Sequence, residues 1–389
     1  MRIYLDHNAT TPVDPAVADA VCRVVTHAFG NPSSAHAFGQ QAKSIVDTAR
    51  SQVAALLGGR PTDVVFTSGG TESDNLAIRG AAELLAARDR RHLITTGIEH
   101  EAVLHTVRSL ERLGWRTTIL GVDERGIVDP EALREALADD TGLVSVMHAN
   151  NEIGTIQPIA ELAALAHERG ALFHTDAVQT VGKIPVDVAS LETDLLSLSG
   201  HKLNAPKGIG ALWIKRGVRL GPQLTGGRHE RGRRAGTENV PGCVGLGLAC
   251  ERAAAKLATE ATRLADLRDR LEGGILARVS RTAVNGEPTT RVPNTTNISF
   301  DGVEAESLLI ALDLDGVAVS TGSACSSGTL EPSHVLRAMG LSPHRAQNAI
   351  RFSLGAGNTA EEIDHVVGLL PAIVEKLRAL THAGTRTSA

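Results

Sequence analysis

The feature that most constrains the fold is an alternation of short apolar segments with amphipathic helical patterns through the middle of the chain. Strand patterns fall at 64–66, 92–95, 117–120, 143–147, 171–174, 195–198 and 210–214. Helical patterns at 72–87, 100–113, 130–137 and 159–169 lie between most of them. This alternation predicts an α/β fold with a mainly parallel sheet, because two parallel neighbours must be joined by a crossover, usually a helix. Several strands are apolar nearly throughout, as when helices cover both faces. Gly supplies 39 of 389 residues, enough for many tight βα turns. With only six Phe, two Trp and one Tyr, the core must come from Ala, Val, Leu and Ile.

From 239 to 278 the pattern becomes one long Ala/Leu/Arg-rich helix, expected to break once, and it marks a boundary. Beyond it come a strand at 296–300, a helix at 304–312, a strand at 317–320, a helix after Pro332, a strand at 349–354 and a last helix at 360–379. These predict a second, smaller α+β domain, and the polar tail 381–389 is expected to fray. The net charge of −5 opposes general nucleic-acid binding, where phosphate neutralisation dominates affinity. No apolar run is long enough for a membrane helix, and the N-terminus turns polar at Asp6 and His7, too early for a signal peptide. The cysteines at 22, 243, 250 and 325 form no Cys-x-x-Cys pair, which predicts neither a zinc ribbon nor a disulfide framework but a cytoplasmic chain with reduced thiols.

Five segments carry groups suited to chemistry. Thr67-Ser68-Gly69-Gly70-Thr71-Glu72 follows a strand and opens a helix, which makes an anion site or a structural turn with a capped helix. Asp176 ends an apolar strand in His174-Thr175-Asp176-Ala177-Val178-Gln179, where open α/β sheets line their ligand crevice; it could also cap the next helix. Lys202 follows another apolar strand, with Ser199 and His201 beside it. A lysine so placed can lose its charge by desolvation and act as a nucleophilic amine. Lys207 is its nearest competitor, while Lys43, Lys256 and Lys376 fall in exposed helical patterns. Cys325 stands among small residues in 320–328, a segment expected to be a mobile loop with a reachable thiol. The other three cysteines read as buried and inert. Arg351 lies in an apolar strand and needs a partner: a substrate carboxylate or an internal ion pair.

Together these segments resemble the cysteine desulfurases, pyridoxal-phosphate enzymes of the class V aminotransferase family. The resemblance runs from Tyr4-Leu5-Asp6-His7-Asn8-Ala9-Thr10-Thr11-Pro12 to Arg351-Phe352-Ser353-Leu354-Gly355, through Gly30–Ser34, Gly70–Asn75, Glu99-His100, Asn150–Gly154, His174–Gln179, Ser199–Lys202, Arg234–Asn239 and Ser323-Ala324-Cys325 in the family's order. It implies the fold-type-I transferase architecture, with a large domain of 14–255 built on a mainly parallel seven-stranded sheet. Residues 1–13 and 256–389 would form the small domain that carries the cysteine loop.

The resemblance also implies roles. Lys202 would bind pyridoxal phosphate covalently and serve as the base. Asp176 would pair with the ring nitrogen, His100 would stack on the ring and assist proton transfer, and Gln179 would bond its phenolic oxygen. Gly70, Thr71, Ser199 and His201 would hold the phosphate, and Thr237 would reach the phosphate of a partner subunit in a homodimer. Asn151 and Arg351 would hold the carboxylate of L-cysteine. Cys325 would take the sulfur as a persulfide, release L-alanine, and pass the sulfur to an acceptor for iron–sulfur cluster assembly or nucleic-acid thiolation. No metal is implied. The Arg-Ala-Gly-Thr-Glu-Asn form at 234–239 is closer to the nitrogen-fixation type, and 381–389 does not resemble the tail with which housekeeping enzymes dock their scaffold.

Other readings use the same residues. An aminotransferase on this fold needs no loop thiol, a selenocysteine lyase would be a related activity, and a silent partner would lack Lys202 or Cys325. The basic loop of Arg228, His229, Arg231, Arg233 and Arg234 could dock nucleic acid, but it lacks interleaved aromatics and reads as an interface loop near a phosphate; no direct nucleic-acid binding is expected.

Overall fold

A computed structural model describes residues 2–322 and 332–386. The chain opens with β1 (Ile3–Tyr4), α1 (Pro15–His27) and α2 (Ala37–Leu56). There follow β2 (Val64–Thr67), α3 (Gly70–Ala86), β3 (His92–Thr96), α4 (Glu101–Glu111), β4 (Arg116–Leu120), α5 (Pro130–Ala136) and β5 (Thr141–Ser145). The sheet continues through α6 (Ile159–Glu168), β6 (Leu172–Asp176), β7 (Leu195–Ser199) and β8 (Gly210–Ile214).

These strands form one seven-stranded sheet of order β2-β8-β7-β6-β5-β3-β4. Only β8 runs antiparallel to its neighbours; every other pairing is parallel. The mainly parallel sheet expected from the sequence is thus present. Six of its strands are buried along almost their whole length, which is why several of them read as nearly continuous apolar segments. The exception is the edge strand β4, largely open to solvent. The C-terminal ends of the parallel strands gather the residues of interest, as an open α/β sheet requires.

The long helix α7 (Val240–Arg278) does not break. Its glycines are packing positions: a Cβ on Gly247 would stand 2.6 Å from Ala49 Cα, and one on Gly274 would stand 2.8 Å from Val367. Glycine lets α2 and the last helix lie close along α7. The two ends of α7 serve different cores. Cys243, Leu246 and Cys250 pack with α1, α2 and the sheet, while Leu264, Leu271 and Ile275 pack with Ile3, Leu5, Phe300 and Phe352.

That second core is built on β9 (Thr282–Asn285), β10 (Thr295–Phe300), α8 (Ala305–Leu314), β11 (Val317–Ala318), α9 (His334–Ala338), α10 (Pro343–Gln347), β12 (Ala349–Ser353) and α11 (Ala360–Arg386). The order β12-β10-β9 makes an antiparallel sheet, and β1 pairs in parallel with β11. The fraying expected from position 381 is not seen up to Arg386, because α11 carries on to that residue; each added residue closes a backbone bond on a helix already nucleated by packing.

Candidate active site

Two buried carboxylates lie under the C-terminal edge of the sheet. Asp176 ends β6, and its Oδ1 accepts from the Val178 amide at 2.9 Å. Asp74, on α3, has Oδ1 without a hydrogen-bond partner, 3.6 Å from His174 Nε2. Burial pushes both pKa values up, and for Asp74 the Asp176 charge adds to it. His100 and Lys202 pull Asp176 the other way. His174 is held neutral, its pKa driven to about 3 by burial, with Ser145 and Ser197 hydroxyls on its two ring nitrogens. A buried negative charge at a strand end with no fixed ion pair among the described residues suits a ligand that brings its own cation.

His100 caps α4, and its Nδ1 accepts from the Ala102 amide at 3.1 Å, which places the ring proton on Nε2. Burial lowers its pKa, opposed by the charge of Asp176 and reinforced by Lys202. The preceding Glu99 is structural. It is fully buried, bonds Thr96 and the Met147 amide, and is pushed up to about 8 by desolvation.

The first turn of α3 is an uncapped amide cluster. Its N-cap is Gly69, which offers no side-chain acceptor. A Cβ on Gly70 would stand 3.0 Å from Val178 Cγ2 and 3.5 Å from Ser199 Cβ, so the turn lies directly against Ser199 and the chain leaving β6. Thr71 is exposed at its rim and lines one depression of about 420 Å³ with His100 and Arg79, and another with Arg234. These donors fit a phosphate. His201 is also nearby in chain: its Nδ1 is 3.2 Å from Thr10 Oγ1, and burial drives its pKa to about 4.

Lys202 Nζ donates to the Asn8 carbonyl at 2.5 Å and the Ala9 carbonyl at 2.6 Å. Gln179 Nε2 donates to the same Asn8 oxygen at 3.1 Å, and its Oε1 accepts from Lys183 Nζ at 2.6 Å. Lys207, by contrast, is exposed. Asn8 is the hub of the site, because its side-chain amide donates to Asn151 O and Thr295 Oγ1. Arg351 Nη1 donates to that same Asn151 oxygen at 3.0 Å, and Nη2 stands 2.7 Å from Asp6 Oδ1. The internal ion pair left open by the sequence is therefore real, but Arg351 Nε remains a buried donor without a partner. Asn150 builds the turn that presents Asn151, its Oδ1 accepting from the Glu152 and Ile153 amides.

The structure thus brings together Asp176, His100, Gly70, Thr71, Ser199, Lys202, Gln179, Asn151 and Arg351. Thr237 sits apart, exposed on the 228–239 loop. Arg234 pins that loop to Glu72 of α3 at 2.8 Å, Arg231 and Arg233 donate to the Thr62 carbonyl, and His229 Nδ1 accepts from the Gly236 amide, so four of its five basic groups have partners within the chain. Cys325 lies outside the described residues. At their border, Glu152 Oε2 accepts from Ser333 Oγ at 2.5 Å and would meet a Cβ on Gly322 at 2.8 Å. Cys243 and Cys250 are buried, with thiols pushed up by desolvation, but Cys22 is exposed: it falls on the face of α1 opposite the buried Val17, Ala20 and Val24.

Sequence reading missed Asn8, Asp74, Glu152 and Lys183. Lys183 had a signal: it is one of only seven lysines, four residues after Gln179.

Residues 3–366 match the family model described as aminotransferase class V. A cysteine desulfurase of a Nostoc strain is 53% identical over 379 residues, covering 97% of this chain and 94% of the relative. The chain belongs to the cysteine desulfurases of the class V aminotransferase family. A solved NifS-like protein superimposes with a TM-score of 0.90 at 40% identity, covering 97% of this chain and 99% of that one. A structure of SspA in complex with cysteine matches at 0.81 and 36% identity, covering 91% and 99%. Desulfurases of this family are pyridoxal-phosphate enzymes with the fold-type-I architecture, and the mainly parallel sheet described above agrees with that fold. Among the described residues, no helix is long and apolar enough to cross a membrane.

Proposed function

We propose that this desulfurase holds pyridoxal phosphate on Lys202 and takes the sulfur of L-cysteine on Cys325. The observation that carries the reading is the convergence on Asn8. Lys202 and Gln179 reach its carbonyl, and its side chain reaches the Asn151 oxygen to which Arg351 is bonded. One amine, one amide and one guanidinium are thereby held around one small volume.

When bound, pyridoxal phosphate supplies the electron sink that makes the Cα proton and the Cβ–sulfur bond of cysteine labile. The chain's residues do the rest. The Gly70 and Thr71 amides, Thr71, Ser199 and His201 hold the phosphate. Asp176 would keep a negative charge against the ring nitrogen, His100 would cover the ring with its proton on Nε2, and Gln179 would donate to the phenolic oxygen. Arg351 and Asn151 hold the substrate carboxylate, for which the unpartnered Nε of Arg351 is a ready donor. Lys202 would move the Cα proton. The Cys325 thiolate attacks the substrate sulfur: the Cβ–sulfur bond breaks, a sulfur–sulfur bond forms, the Cβ gains a proton, and L-alanine leaves. Cysteine and the Cys325 thiol enter and alanine and the persulfide leave, so the sulfur is oxidised at the expense of Cβ and no external oxidant is needed.

The same proposal makes the enzyme a cytoplasmic homodimer in which Thr237 reaches the partner's phosphate. It divides the chain into a cofactor domain of 14–255 and a small domain of 1–13 with 256–389, in line with the two cores along α7. The persulfide passes to an iron–sulfur scaffold or a thiolation enzyme, without direct binding of nucleic acid. Lys202→Ala tests the anchor. The purified variant is expected to lose the visible absorbance of lysine-bound cofactor; an unchanged spectrum would transfer the role to Lys207.

A further inference from the structure

A second amine stands beside Lys202. Lys183 Nζ is 2.6 Å from Gln179 Oε1 and 3.3 Å from Asn8 Oδ1, while Lys202 Nζ is 2.5 Å from the carbonyl oxygen of the same Asn8. The two side chains come from different elements, one following β6 and one following β7, yet a single residue separates their ends. Asn294 Nδ2 also donates to Asn8 Oδ1, at 3.1 Å, which fixes the asparagine between them. Among the described residues, Lys183 makes no ion pair with a carboxylate.

We infer that Lys183 is a positioning residue of the desulfurase: across Asn8 its amine, when protonated, opposes protonation of the Lys202 nitrogen. The inference rests on the assignment of Lys202 as the cofactor lysine. Its physical basis is that two amines sharing a dry site cannot both stay protonated, and a neighbouring cation is one of the ways to activate a lysine nucleophile. Burial is the largest influence on Lys183, and the charges of Lys202 and Arg351 add to it, bringing its pKa to about 7. Of the other groups facing the pair, Arg351 also supplies positive charge. His7 and His201 are driven to about 4 and are neutral, and Arg351 is partly balanced by Asp6. Asp176 and His100 are also within electrostatic reach of Lys202. Gln179 gains from the same contact, because Lys183 occupies its oxygen and leaves its Nε2 as the donor.

The test is a pH titration of the visible band of the holoenzyme without substrate, comparing wild type, Lys183→Met, Lys183→Gln and Lys183→Arg. Met keeps the apolar stem, Gln is a second neutral replacement should Met fail to fold, and Arg keeps the charge. The neutral variants are expected to raise the midpoint of the protonated band by about one pH unit, with Arg within a few tenths of wild type. An unchanged midpoint in the neutral variants overturns the inference. An equal shift in Lys183→Arg also overturns it, because shape rather than charge would then be responsible. Lys202→Ala run alongside separates the two claims. If it retains the band, the assignment of Lys202 fails; if it loses the band while Lys183→Met does not shift it, only the role of Lys183 fails.

Discussion

Replacing Arg351 separates its two roles. The guanidinium is almost fully buried in β12, with Nη2 on Asp6 at 2.7 Å, Nη1 on the Asn151 carbonyl at 3.0 Å, and Nε without a partner. A substrate carboxylate would add charge-assisted bonds, each worth about 1.5–3 kcal/mol. Losing two of them in Arg351→Ala amounts to about 3–6 kcal/mol, or roughly 10²- to 10⁴-fold weaker L-cysteine binding at about 1.4 kcal/mol per decade. Arg351→Lys keeps the charge but not the fork, and is expected to lose roughly 10- to 100-fold. The cost in stability is smaller, because Asp6 lies near the rim and can turn to water once its partner is gone. The assay is a spectral titration with L-cysteine of cofactor-saturated enzyme carrying Cys325→Ala to prevent turnover, with cofactor affinity measured separately. Arg351→Ala should leave cofactor affinity within a few fold of wild type. If cofactor and cysteine affinity fall together, Arg351 is only the structural partner of Asp6. If cysteine affinity does not change, the carboxylate is held elsewhere.

Three further outcomes follow from the same geometry. His174 is fully buried and neutral, with its pKa at about 3 against 6.5 in the unfolded chain; its stabilising contribution is complete above pH 6.5 and falls as pH drops toward 3. Urea midpoints should therefore show a loss of about 2 kcal/mol from this group between pH 7 and pH 5, and His174→Gln should flatten that part of the acid limb; an unchanged limb would mean that His174 protonates within the fold. Gly210→Ala would place a Cβ 2.7 Å from the backbone of Gly69 and from the Leu198 carbonyl, so it should cost about 1–3 kcal/mol and loosen cofactor retention, read by melting and by cofactor release on dilution; wild-type values for both would show that β8 does not brace the phosphate turn. Glu152→Ala should slow alanine formation while leaving cofactor absorbance intact, with Glu152→Gln partly restoring the rate, because Gln still accepts from Ser333; a wild-type rate in Glu152→Ala would show that the Ser333 contact does not bear on turnover.

What could be read from the sequence was what depends on near neighbours. Six of the seven strands of the large sheet are short and buried and carry apolar segments, and Asp176 and Ser199 could be picked out because each ends such a strand. The strand β9 escaped notice because Thr282–Asn285 is half-exposed and lacks an apolar run. The expected break in α7 misread glycines that serve helix approach. Asn8 was invisible as a hub because its partners at Gln179, Lys202 and Thr295 are distant in sequence, and nothing local distinguishes it from a turn asparagine. For the same reason Arg351 could be identified as needing a partner, while Asp6, 345 positions away, could not be chosen.

The most direct measurement is L-alanine formation from L-cysteine in the presence of a reductant, by wild type and by Cys325→Ala, both loaded with pyridoxal phosphate. If sulfur leaves through Cys325, the wild type releases alanine and carries a persulfide on that residue by mass spectrometry, while the variant releases almost none. Equal alanine from both would contradict a role for Cys325 as the sulfur acceptor, and would leave the same site performing lyase chemistry without it.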